Sequence, residues 1–189
     1  MTTSADPGYL SGMQTDDGSL DAAGLTAVYR SGIDSLTRAA TGLTREQAVA
    51  RPVPGKWSAL ELVAHLADCE LVFGERILRT LAMDKPLHLG MDETHYAARL
   101  GYQSLDLDEE LAVFAAVRRR VARVLAGLPA EVWQRPAVHA DSGLVTVRQL
   151  VFQTVRHLAH HLPFLAEKRA ALEFHHGDAE NTEKTKDEI

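Results

Sequence analysis

The chain of 189 residues has a single cysteine, Cys69. An internal disulfide is therefore excluded, and a reducing compartment fits. Uninterrupted apolar runs are short, whereas a membrane-crossing helix needs about 20 apolar residues. The start of the chain lacks a basic stretch followed by an apolar one, so no secretory signal is expected there. Basic residues are outnumbered: 20 Lys and Arg face 26 Asp and Glu, for a net charge of -6. Nonspecific nucleic-acid binding needs a basic surface that displaces counterions, and this balance argues against it. Three catalytic signatures are missing too: a glycine-rich phosphate loop, a Gly-x-Ser-x-Gly elbow and a His-Glu-x-x-His pair. The expectation is a soluble cytoplasmic protein acting on a small molecule, with neither nucleic acid nor membrane as partner.

What is present is helical pattern. Met1 to about Ser19 is rich in Ser, Thr, Asp and Gly, and reads as a flexible arm (1–19). From Leu20, the residues Leu25, Val28, Tyr29, Ile33, Leu36 and Leu43 recur at three- and four-residue steps, which gives one apolar stripe. Thr44 with Gln47 forms a capping box for one short turn before Pro52 and Pro54. Ser58 with Glu61 forms another, and Trp57 is placed to fold over it as a staple. The helix that follows should run to about Met83, where Pro86 stops it. Its stripe is Leu62, His65 with Leu66, Cys69, Val72 with Phe73, Ile77 and Leu81. A long link from Asp84 to about Leu107 carries a weakly helical piece, Glu93 to Leu100. Links of that length often cover a site.

A third helix is expected from Asp106 or Asp108 to Gly127, with Leu111, Phe114, Val117, Val121 and Leu125 on one side. Pro129 to Val145 is a second irregular link, with a turn at Glu131 to Trp133 and a bend at Gly143. Thr146 with Gln149 caps a fourth helix running to about Leu172. That helix has two apolar stripes: Leu150, Thr154, His157, His161, and Val151, Val155, Leu158, Leu162. It is either the most buried of the four or packs against a second subunit as well. The polar, acidic residues 173–189 read as a disordered tail. No strand pattern stands out. The fold expected is an all-α four-helix bundle over 20–172, with long links between helices 2 and 3 and between helices 3 and 4.

Chemistry gathers on the fourth helix. Four residues advance a helix by about 6 Å and overshoot one turn by about 40°, so His157 and His161 leave the same face. His65 sits among the core positions of the second helix and can be a third imidazole. Three neutral imidazoles suit Zn²⁺, Ni²⁺ or Fe²⁺, and three protein ligands leave an open position. An ion there lowers the pKa of a bound water or thiol. The alternative for each histidine is a core residue bonded to a backbone carbonyl. Three core-facing imidazoles each carry a costly desolvated N–H if nothing binds them.

His160 lies about 100° around the helix from His161 and cannot share its metal; it could pair with His157 at three-residue spacing, but the apolar stripe favours His157 with His161, which leaves His160 at the surface, behind a ligand or at an interface. Cys69, one turn after His65, could be a fourth ligand, a reactive thiol or a small core residue. Gln153 and Thr154 could line the pocket, or Thr154 could bond back to its own helix. In the long link, Asp92, His95 and Tyr96 could fold over the metal or be loop surface. Asp68, Glu70 and the Arg118-Arg119-Arg120 run read as solvated faces. His88 and His139 read as loop residues.

The stretch Trp57-Ser-Ala-Leu-Glu-Leu-Val-Ala-His-Leu-Ala-Asp-Cys-Glu70 resembles the second-helix motif of the DinB/YfiT-like metalloenzyme family. Thr146-Val-Arg-Gln-Leu-Val and the later Arg-His-Leu-Ala-His-His-Leu162 resemble its fourth-helix motif. The resemblance covers about Leu20 to Leu172. It implies a four-helix bundle, often a homodimer, with a divalent metal on three histidines that fall on His65, His157 and His161. It also implies thiol S-transfer with a low-molecular-weight thiol of the bacillithiol or mycothiol type; the alternatives are a hydrolase using metal-bound hydroxide and a non-catalytic metal-binding or stress protein. Related domains serve in maleylpyruvate isomerase and in ergothioneine biosynthesis.

Overall fold

The computed structural model describes residues 18–184. Most of the expected arm and the last residues of the expected tail, 1–17 and 185–189, lie outside the described residues, as do the side chains beyond Leu172. Four long helices make the bundle: α1 (Ala22–Ala40), α3 (Ala59–Ala82), α5 (Leu107–Ala126) and α6 (Val147–Lys184). Two short ones sit between them, α2 (Arg45–Val49) and α4 (Glu93–Arg99).

The helix starts are where the capping residues put them. Ser58 Oγ accepts from the Glu61 N–H at 3.1 Å, and Glu61 Oε2 accepts from the Ser58 N–H at 2.7 Å. Thr44 and Gln47 pair in the same way ahead of α2. Gln149 closes on Thr146, accepting its N–H at 2.8 Å. Asp106 accepts from the N–H groups of Asp108 and Glu109 to start α5. Each box satisfies backbone donors that the first turn leaves open, and losing the cap costs about 0.5–2 kcal/mol.

Two features differ from expectation. α6 is traced to Lys184, beyond the end expected at Leu172. Leu165 to Glu173 consists of Leu, Ala, Glu, Lys and Arg, all good helix formers, so nothing local stops it. The links also contain a small sheet where no strand was expected. β1 (Leu87–His88), β2 (Pro136–His139) and β3 (Gly143–Thr146) pair in that order. β1 is parallel to β2, with His88 opposite His139, and β2 is antiparallel to β3. Strands this short carry too few residues to show alternation in a sequence. Gly143, at φ 75°, closes the hairpin where a Cβ would be strained. The sheet ties the two long links to each other.

Among the long helices, α1 and α3 each pack mainly on α5 and α6. α3 and α6 are therefore neighbours, which brings His65 to His157 and His161. Two apolar clusters fill the bundle. One includes Leu25, Tyr29, Ile77, Val121, Leu150 and Val151, and the other Leu36, Leu62, Leu66, Phe114, Leu158 and Leu165. Full burial of one such aliphatic or aromatic side chain contributes about 1.5–3 kcal/mol over its exposed state. Val151 and Leu158 are core residues, and Val155 and Leu162 pack against the clusters, so both stripes of α6 are used within the one chain. No helix among the described residues is long and apolar enough to cross a membrane.

Candidate metal centre

Three imidazoles meet between α3 and α6. His157 Nε2 lies 3.2 Å from His65 Nε2 and 3.2 Å from His161 Nε2. His65 and His157 are buried, and His161 is half-buried. The His65 and His161 rings stand 5.0 Å apart, centre to centre. Trp57, held at the start of α3, faces the His65 ring at 5.2 Å, and Phe73 meets the His157 ring edge-on at 5.4 Å. The staple position and the α3 stripe thus supply aromatic walls that keep water from the rings.

Burial decides the protonation state. It lowers His65 to about 4 and His161 to about 3, and it drives His157 well below the ordinary histidine range. The neighbouring rings add to this for His157 and His161, because one protonated imidazole opposes another. All three are neutral at pH 7, the form that offers a lone pair to a metal. Neutral imidazoles alone fit this geometry poorly. Each ring has one donor and one acceptor nitrogen, and a single lone pair on His157 Nε2 cannot satisfy two donors at 3.2 Å. A cation taking three lone pairs removes that conflict. Tetrahedral ligands at about 2.0–2.1 Å stand about 3.3 Å from each other. The two 3.2 Å separations match that edge. The His65–His157 and His157–His161 pairs therefore each fit a shared divalent ion.

Cys69 completes the inner surface. Its Sγ is 3.7 Å from both ring nitrogens of His65 and 4.0 Å from Met91 Sδ in the long link. His65, Cys69 and His157 form a buried group whose donor atoms are close enough to hold a metal. Burial pushes the Cys69 thiol up, and the charges of Glu93 and Asp68 push it further. Thr154 is buried and its hydroxyl donates to the Leu150 carbonyl at 2.8 Å, the local back-bond of a helix interior. Gln153 is half-buried. Asp92 caps α4 by accepting the His95 N–H at 2.9 Å, and it pairs with His95 Nδ1 at 3.1 Å. Tyr96 is exposed on the same helix. The link does reach the site, through Met91 and Glu93. His160 is exposed, with its ring edge-on to His161 and Phe164.

Several polar residues read as solvated or as loop are buried or half-buried. Asp68 accepts from the Tyr102 hydroxyl at 2.5 Å, and Tyr102 is itself in the core. His88 is buried and bonded through Nε2 to Thr80 Oγ1 at 2.9 Å, because β1 draws it under the sheet. The largest correction concerns Glu70 and Arg118, which are 2% and 1% exposed. Arg118 Nε faces Glu70 Oε2 at 3.3 Å, and the Tyr29 hydroxyl donates to the other carboxylate oxygen. The guanidinium lies 4.5 Å from the Tyr29 ring centre and 4.7 Å from that of Phe114, and it donates to the Thr154 carbonyl. Gly32 makes the room: a Cβ there would meet Arg118 Nη1 at 2.2 Å. These groups come from all four long helices. Burial raises the Glu70 carboxyl against the pull of Arg118 and Tyr29. The sequence holds one signal: Tyr29 lies on an apolar stripe, and Glu70 and Arg118 fall beside the stripe positions Cys69 and Val117.

Known proteins agree with this fold. The model of the DinB superfamily matches residues 29–165. A similar solved structure is YfiT from Bacillus subtilis, described as a probable metal-dependent hydrolase with an unusual four-helix bundle topology. The two are 21% identical, the match covers 79% of this chain and 86% of that one, and the TM-score is 0.72. No curated protein matches. The matched span holds α3, the first half of α6 and all three converging histidines, and the chain belongs to the DinB superfamily.

Proposed function

We propose that the chain is a divalent-metal-dependent enzyme in which His65, His157 and His161 hold the ion and a small thiol is the nucleophile. One observation carries the reading: the neutral imidazoles of His65 and His161 each bring Nε2 to within 3.2 Å of His157 Nε2, in a largely buried setting. Zinc, nickel and iron all suit this donor set. A divalent ion there supplies Lewis acidity, which makes a thiol or water nucleophilic near neutral pH.

The chain's own residues do the rest. Trp57 and Phe73 shield the imidazoles from water and fix their orientation. The three carboxylates of α3 nearest His65 are all engaged: Glu61 with Arg51 and Ser58, Asp68 with Tyr102, and Glu70 with Tyr29 and Arg118. None of them is free to act as a base. A thiol that ionises at a Lewis acid needs none, which favours S-transfer from a low-molecular-weight thiol to a small electrophile, as the family resemblance implies. Met91 and Cys69 give that side of the site a soft, sulfur-rich lining.

Hydrolysis is the second reading, favoured by two observations. YfiT is described as a probable metal-dependent hydrolase. Glu93 of α4 is half-buried and close enough for its charge to raise the Cys69 thiol, so it could take a proton from water. The metal-loaded protein should be incubated with candidate thiols and a generic electrophile, and separately with ester and amide substrates. S-transfer predicts thiol-dependent turnover that His157→Ala abolishes and Glu93→Gln leaves intact. Thiol-independent turnover that falls in Glu93→Gln would replace it with hydrolysis.

A further inference from the structure

We propose that Lys168 is the anion anchor of this site, and that the substrate carries a carboxylate or similar anionic group at its far end. The inference rests on the metal reading above and extends it to a substrate class. Lys168 is 3% exposed, yet makes no hydrogen bond or ion pair among the described residues. Its four-carbon stem is packed away, while the ammonium is not among the enclosed side-chain nitrogens and keeps contact with solvent.

Position gives that ammonium a role. Lys168 follows His161 by seven residues, which on a helix is about 10.5 Å along the axis and about 20° around it. The two side chains share one face. Side chains on a helix lean toward its N-terminus, so the four-carbon stem of Lys168 reaches back toward His161. The charge of Lys168 is close enough to lower the basicity of His161. The Lys168 ammonium therefore lies on the same wall as the converging imidazoles, near enough for its charge to act on His161.

The surroundings are short of negative charge. Glu61 is the nearby carboxylate from α3, and it is saturated: Arg51 holds both its oxygens, at 3.0 and 2.6 Å, and the Ser58 N–H adds a third bond. Lys56 adds another positive charge close to Lys168, while Glu167 sits next in the chain on the exposed side. Arg51, Lys56 and Lys168 thus face a single committed carboxylate. Burial lowers the Lys168 pKa, as expected for an ammonium lacking a counterion. An incoming anion is the missing partner.

The test uses a ruler of mercaptocarboxylates, from mercaptoacetate to mercaptobutyrate, each paired with the uncharged mercaptoalcohol of equal length. Binding is measured by calorimetry on the zinc-loaded full chain and on the metal-free chain. One member of the series should bind wild type about tenfold to a hundredfold more tightly than its alcohol, the value of one charge-assisted hydrogen bond. Lys168→Met should bring that ratio to about one, while bound zinc stays unchanged and thermal stability holds or rises. Lys168→Arg should keep part of the preference. A carboxylate preference that survives in Lys168→Met overturns the proposal, and so does its absence in both forms of the wild type. Failure of the metal reading looks different: wild type would hold no stoichiometric zinc, and the metal-free comparison would still decide the role of Lys168.

Discussion

Replacing Arg118 with Met should destabilise the bundle severely, although the side chain lies outside the metal centre. The variant leaves the Glu70 carboxylate at 2% exposure with only the Tyr29 hydroxyl as partner. Breaking a buried ion pair from one side costs about 3–5 kcal/mol. Loss of the guanidinium from between the Tyr29 and Phe114 rings removes about 0.5–2 kcal/mol more. Relief works the other way, because Arg118 Nε and Nη1 make no hydrogen bond. A net loss of about 3–4 kcal/mol remains, a large share of the roughly 5–15 kcal/mol typical of a domain. Glu70→Gln should fall in the same range, since it strands the guanidinium. The double variant Arg118→Met with Glu70→Gln buries no charge and should lose less than either single change. Urea denaturation of the four proteins at pH 7, with the slope m checked for constancy, gives the coupling energy directly. Strict additivity, or single variants within about 0.5 kcal/mol of wild type, would refute the reasoning.

Further outcomes follow from the same geometry. The metal-free protein should lose stability as the pH falls below about 6.5, because the unfolded histidines protonate there and the folded ones do not. The part of the loss due to His65 and His161 is complete once they protonate in the fold, at about 4 and about 3. Denaturation midpoints across that range check the sign, and His157→Ala should flatten the curve. Gly32→Ala should destabilise by about 1–3 kcal/mol, through overpacking against Arg118 and Leu158. A midpoint equal to wild type in urea would mean that α1 and α5 yield at no cost. Cobalt-loaded protein should show a sulfur-to-cobalt charge-transfer band only when an external thiol is added, and Cys69→Ala should leave that band unchanged. A strong band before any thiol is added would make Cys69 a ligand.

The bundle was legible because its signals are local and repeated. Ser58 with Glu61, Thr44 with Gln47 and Thr146 with Gln149 each mark a helix start, and the structure has all three boxes. The convergence of His65 with His157 and His161 was legible from spacing on the two long helices and from the motif resemblance. The sheet was not, since strands of two to four residues have no period, and β1 meets β2 only through the fold. Arg118 was misread because three consecutive arginines fan around a helix, and which of them turns inward depends on Gly32 in another helix. Glu70 was misread for the same reason: its partners Tyr29 and Arg118 are 41 and 48 positions away along the chain. Burial of a charged residue is decided by distant partners, which no single stretch displays. Lys168 lay two turns along the histidine stripe, and following that stripe past His161 would have found it.

The central claim is that three histidines share one ion. Elemental analysis of the purified chain, beside His65→Ala, His157→Ala, His161→Ala and the control His160→Ala, tests it most directly. The account predicts one divalent ion per chain in wild type and in His160→Ala, and loss of it in the other three variants. Stoichiometric metal retained in any of those three, or lost in His160→Ala alone, would contradict it.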